Sequence, residues 1–140
     1  MISNLHIANN CHCARLRAAT RSVTRIYDEL LRPVGVKGNQ FTMLVATSLL
    51  QPVPISKLAE ELSMERTTLT RNLAPLEKDE LISIESGGGR IRNVSLTDKG
   101  AFTIEQGKPL WQEAQKQVEA KLGKSKTGAL DTTLEELAEV

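Results

Sequence analysis

At 140 residues the chain has room for one hydrophobic core and not for two independent ones. No apolar run approaches the roughly 18 residues of a membrane span, and the first residues lack the charged-then-apolar pattern of a secretory signal, so a cytoplasmic protein without membrane contact is expected. Trp111, Tyr27, Phe41 and Phe102 are the only aromatic residues, too few for a base-stacking binder of single strands. The net charge of +1 hides an asymmetry: residues 1–50 sum to +4, 51–100 to −1 and 101–140 to −2, and all nine arginines lie at or before Arg92. Arginine suits bidentate contacts to phosphate and guanine, so its placement matters more than the total.

Residues 9–32 read as one long helix, with Leu16, Ala19, Val23, Ile26, Tyr27, Leu30 and Leu31 at steps of three and four and Pro33 and Gly35 closing it. Its other face carries Arg17, Arg21 and Arg25, either as a solvated face or as partners for the acidic tail residues Glu135, Glu136 and Glu139. Phe41, Leu44, Val45, Leu49 and Leu50 mark a second helix, stopped by Pro52 and Pro54.

Ile55 to Leu76 is the most informative stretch. Ser56 is placed to cap a short helix containing Leu58, Ala59 and Leu62, and Ser63-Met64-Glu65 is a tight connection. A second helix follows from about Arg66, with Leu69, Leu73 and Leu76 inward and Arg66, Thr67, Thr68, Thr70, Arg71 and Asn72 near its start. Two short helices joined by such a turn form a helix-turn-helix. Leu81 to Glu85 then reads as a strand, Gly87-Gly88-Gly89 as a turn and Arg92 to Leu96 as the return strand, making a β-hairpin wing with Arg90 and Arg92 at its tip. Thr97-Asp98 caps a long helix running to about Leu122, with a kink expected around Gly107–Pro109 and a stop at Gly123. A last helical segment from about Lys126 puts Leu130, Leu134 and Leu137 on one stripe. Long terminal helices with narrow apolar stripes suggest burial against a second copy.

This order resembles the MarR family of winged-helix transcriptional regulators over about residues 11–140. The phrases that carry the likeness are "TRIYDELLRPVGVKGNQFTML", "LAEELSMERTTLTRNLAPLEKDELI", "GRIRNVSLTDKG" and "PLWQEAQKQVEAKLG". The resemblance implies a mainly α fold with a small β-hairpin wing: one domain over 1–140, with dimerisation helices at about 9–50 and 98–140 and a DNA-binding lobe at about 54–97. It implies a homodimer on a palindromic operator in double-stranded DNA, acting as a repressor that a small phenolic or anionic effector releases. Arg66, Thr67, Thr68, Thr70, Arg71 and Asn72 would then face base edges, where Arg and Asn form bidentate contacts to guanine and adenine. Ser56 and Lys57 would hold phosphate. Arg90 takes the position of the family's wing arginine, with Arg92 sharing its role, because Gly88 stands where the family has an orienting aspartate.

The effector cleft implied by the family would be walled here by His12, Arg15, Leu16, Ala19 and Phe41. Cys13, with Cys11 nearby, falls where the hydroperoxide-sensing branch keeps its reactive cysteine, although the two positions that hold tyrosines in that branch are Gly38 and Phe41 here. A single cysteine pair gives no disulfide framework, and activating a thiolate would fall to Arg15, Arg17 or His12. Adjacent Cys11, His12 and Cys13 cannot all face one tetrahedral ion from a helix, so no metal is expected; a subunit-bridging set that adds His6 is the open alternative. No phosphate-cradling loop, nucleophile elbow or paired histidine motif is present, so neither an enzyme nor a cofactor is expected, a Cys13 thiol peroxidase being the one enzymatic alternative. A winged module that binds a protein partner instead of DNA is the remaining reading.

Overall fold

The long helix expected over 9–32 is present from residue 12 to 31, and a short helix that the sequence did not reveal precedes it. In the computed structural model, which describes residues 1–139 and so leaves Val140 outside, α1 spans Asn4–Asn10 and α2 spans His12–Leu31. Cys11 between them is extended, with φ −70° and ψ 112°, and its Sγ accepts the Ala14 N–H at 3.4 Å as the cap of α2. Asn10 donates from its side chain to the His6 carbonyl at 2.8 Å, the kind of local bond by which asparagine competes with a continuing helix. α2 passes into a 3-10 turn over Arg32–Val34 that ends at Gly35 with φ 79°, the left-handed conformation that favours glycine.

The remaining elements follow the sequence closely. α3 spans Gly38–Leu50, and the Gly38 N–H is held by the Asp28 carboxylate at 2.7 Å. A two-residue strand, β1 at Val53–Pro54, leads into α4 at Ile55–Glu61 and α5 at Arg66–Lys78. β2 (Ile82–Ser86) and β3 (Arg92–Leu96) form the hairpin, α6 spans Asp98–Leu122 and α7 spans Lys124–Ala138. The sheet has three antiparallel strands in the order β1-β3-β2, with Val53 and Ile84 both opposite Val94, so the expected two-stranded wing is tied to the lobe by a third strand. Pro54, not Ser56, occupies the cap position of α4, and Ser56 sits within its first turn. α6 runs unbroken through Pro109, and α7 begins at Lys124, two residues before the predicted start.

The core gathers Leu31, Phe41, Leu44, Leu58, Leu69, Leu73, Leu76, Val94 and Ile104, joining α2 and α3 to the helix-turn-helix, the sheet and α6. Two glycines let α6 approach its neighbours. A Cβ on Gly107 would lie 2.5 Å from the Phe41 ring, and one on Gly100 would lie 2.1 Å from the Leu81 carbonyl oxygen. Gly107 therefore serves close packing of α3 on α6 instead of a helix break. α1 and α7 bury no residue, and Leu5, Ile7, Leu16, Val23, Leu130, Leu134 and Leu137 are exposed. Among the described residues the ion pairs are Lys57 with Glu60 and Glu61, and Lys108 with Glu105. Arg17, Arg21 and Arg25 do not meet Glu135, Glu136 or Glu139 within the protomer, and their face is solvated. No helix among the described residues is long and apolar enough to cross a membrane.

Candidate nucleic-acid interface

The helix-turn-helix is set by two matching helix ends. α4 closes with the Met64 N–H on the Ala59 carbonyl at 2.9 Å and the Ser63 N–H on the Glu60 carbonyl at 3.1 Å, with Ser63 at φ 52°. α5 closes in the same way, with Leu81 N–H on Leu76 O at 2.9 Å and Glu80 N–H on Glu77 O at 3.0 Å, and Glu80 at φ 62°. Both are Schellman ends, which usually carry glycine at the left-handed position. Here Ser63 and Glu80 adopt it, at a cost of about 1–2 kcal/mol each.

Between those ends, Leu69, Leu73 and Leu76 are fully buried and fix the rotation of α5. Arg66, Thr67, Thr70 and Arg71 lie on the opposite, exposed face, one turn apart in pairs. Thr68 and Asn72 are half-buried on its flank, so the six predicted base-facing residues divide into four that stand free and two beside them. The Thr70 hydroxyl donates to the Arg66 carbonyl at 2.9 Å, so a base contact by this exposed residue falls to its methyl group. The methyl is the group that complements thymine C5.

Ser56 and Lys57 are exposed on the first turn of α4, as expected of phosphate contacts. Sequence reading missed that Lys57 already faces carboxylates, with Glu61 at 3.6 Å and Glu60 at 3.7 Å. The spacing of three and four along the helix is the signal that would have found them. These pairs are exposed and weak enough for a phosphate to displace.

At the wing, Gly88 and Gly89 have φ of 98° and 57°, and Arg90 and Arg92 are exposed at and beside the tip. Among the described residues neither arginine makes an ion pair or a side-chain hydrogen bond. Gly88 has a structural reason to be glycine: an aspartate here would be forced into left-handed backbone.

The predicted effector residues do not converge in the protomer. His12, Arg15, Leu16 and Ala19 lie on the exposed N-terminal half of α2, and Arg15 donates to the Asn9 carbonyl. Phe41 is buried where α3 packs on α6 and lines a cavity of about 450 Å³ with Thr42, Val45, Ala46, Lys108 and Trp111. A second cavity of about 380 Å³ shares Thr42 and Trp111 and adds Val23, Thr24, Tyr27, Gly38 and Asn39. Tyr27 donates its hydroxyl to the Gln115 side chain, and burial, with a smaller contribution from the Glu119 charge, raises its pKa above the usual 10.0. The two residues are 88 positions apart, so no local pattern reveals the contact. Cys13 is exposed and Cys11 half-buried, both as free thiols. Among the described residues no group of three or more His, Cys, Asp or Glu side chains is placed to hold a metal ion.

Comparison with known proteins gives a consistent picture. The Mycobacterium tuberculosis transcriptional regulator MosR is 34% identical, with a TM-score of 0.78 over 93% of this chain and 96% of that one. The structure of MosR in complex with DNA is 33% identical, with a TM-score of 0.79 over 93% of this chain and 97% of that one. A mutant of Escherichia coli MarR with operator DNA is 21% identical and superimposes at a TM-score of 0.83 over 96% of this chain and 99% of that one, a likeness of fold. No protein-family model and no curated protein sequence matches the chain.

Proposed function

The chain belongs to the MarR family of winged-helix transcriptional regulators, and from that premise we propose that it is a homodimeric repressor reading a palindromic site in double-stranded DNA. Regulation of transcription by DNA binding is the family's activity, and within this chain the labour divides between two regions. The lobe at about 54–97 meets DNA, while about 9–50 and 98–140 pair with a second copy. The observation that carries it is the outward face of α5, where Arg66, Thr67, Thr70 and Arg71 stand free on a helix locked from behind by three buried leucines. That arrangement suits entry into a major groove, with base edges read by the arginines and phosphates held by Ser56 and Lys57. The unburied apolar stripes of α1, α2 and α7 support pairing with a second copy.

Release by a small phenolic or anionic ligand finds support in the paired cavities between α2, α3 and α6. Phe41 and Trp111 offer apolar walls, and Lys108, whose exposed pair with Glu105 an anion would have to displace, a cation. Fluorescence of the single tryptophan, Trp111, reads occupancy directly; quenching by aromatic acids that also dissociate the DNA complex is expected. Saturation without dissociation would remove the effector role. Thiol sensing is the second reading, favoured by the exposure of Cys13 beside the helix break at Cys11. It predicts release by hydroperoxide from the wild type but not from Cys13→Ser. The function as a whole is tested by anisotropy titration of labelled duplexes: an Arg71→Ala and Arg90→Ala variant with unaltered DNA affinity would turn the assignment toward a protein partner.

A further inference from the structure

Beside Arg90 at the wing tip stands Ile91, half exposed at 50%. Its backbone is held twice: the Ile91 N–H donates to the Gly88 carbonyl at 3.1 Å, and its carbonyl accepts the Gly87 N–H at 2.8 Å. Its Cγ2 lies against Gly87, where a Cβ would come within 2.9 Å of it. Gly88 and Gly89 turn at φ 98° and 57°. The tip is thus a fixed turn, not a loose glycine linker. It carries one branched apolar group between the guanidinium-bearing residues Arg90 and Arg92, neither of which has an ion-pair partner among the described residues.

We propose that Ile91 is a specificity-determining residue of the wing, packing on the floor of a DNA minor groove and selecting A·T over G·C pairs there. This rests on the DNA-binding reading above and on the minor-groove position that the family resemblance implies for the wing arginine, Arg90. In the minor groove an A·T pair shows only the acceptors adenine N3 and thymine O2, whereas a G·C pair adds the guanine N2 amino group. Isoleucine has no acceptor, so over G·C it would strip water from that donor without replacing the bond. The amino group also projects into the space the side chain needs. Insertion of apolar side chains is an established way of using the minor groove. The flanking arginines favour the same narrow A·T grooves, but through charge. The two contributions separate by salt, because only the charged one releases counterions.

The test uses the tightest duplex selected from a random pool, its outer flanks rewritten pair by pair as A·T, G·C or inosine·cytosine. Inosine lacks the N2 amino group, so inosine·cytosine keeps the major-groove face of G·C with the minor-groove face of A·T. The wild-type dimer is expected to bind A·T and inosine·cytosine flanks alike and G·C flanks roughly five- to ten-fold more weakly. Ile91→Ser loses most of that discrimination with an unchanged salt slope, Ile91→Val keeps it, and Arg90→Ala lowers the slope. Equal binding to all three flanks by the wild type, or full discrimination by Ile91→Ser, overturns the assignment. Recovery of no duplex at all overturns the DNA-binding reading itself, and this inference with it.

Discussion

Gly100→Ala tests the joint between the reading lobe and the long helix α6. The new methyl carbon would sit 2.1 Å from the Leu81 carbonyl oxygen, and since real Cβ contacts essentially never fall below 3.0 Å, the two must part by about 0.9 Å. Neither side yields freely. Leu81 O accepts the Thr97 N–H at 3.1 Å, and the Leu81 N–H is held by Leu76 O at 2.9 Å. The Thr97 hydroxyl donates to Glu80 O at 2.6 Å and accepts the Gly100 N–H at 3.0 Å. Overpacking costs about 1–3 kcal/mol and a weakened backbone hydrogen bond about 1 kcal/mol, against a gain of about 1 kcal/mol from replacing glycine in a helix. The net expectation is a loss of about 2 kcal/mol, or a fall in Tm of roughly 5–10 °C for a chain of this size. Thermal unfolding followed by far-ultraviolet circular dichroism, at one fixed protein concentration because association contributes, measures it. A Tm unchanged or raised would refute the close approach of α6 to Leu81.

Glu80→Gly relieves a left-handed glutamate while keeping the backbone carbonyl that Thr97 uses, and is expected to stabilise by about 0.5–1 kcal/mol in urea unfolding. Arg71→Ala should cost about 1–3 kcal/mol of binding and relax one base position, seen by repeating the selection. Lys57→Ala should weaken all duplexes alike and lower the salt slope by about 1, while Glu60→Gln, which frees Lys57 from a carboxylate, should raise affinity for all of them. Tyr27 is held neutral by burial, so its pKa lies higher in the folded than in the unfolded chain. The folded state therefore binds more protons above about pH 10, and stability is full below that pH and falls as pH rises toward the raised value. Urea titrations between pH 8 and 11 should show this fall in the wild type and a flatter profile in Tyr27→Phe.

The elements readable from the sequence were those whose pattern is local. Leu69, Leu73 and Leu76 predicted the inward face of α5, and Thr97 marked the start of α6 because its hydroxyl caps three residues ahead. What escaped depends on distant or very short contacts. β1 has two residues, one of them proline, and is a strand only because Val94 pairs with Val53. The break at Cys11 involves neither proline nor glycine; it follows from an asparagine side chain bonding a helix carbonyl and from a thiol acting as cap. Gly107 read as part of a helix kink and Gly100 carried no local signal; their roles emerge only when Phe41 and Leu81 are brought against them. Cavity residues Tyr27 and Trp111 come from helices far apart in the chain, which is why the predicted effector set gathered only Phe41 of its members at a cavity.

Selection of tight binders from a random duplex pool shows whether a dimer reads duplex DNA with paired winged lobes. An enriched palindrome with half-sites about one helical turn apart, bound by two copies of the chain, is expected. Absence of enrichment, with only weak binding that salt abolishes, would contradict it.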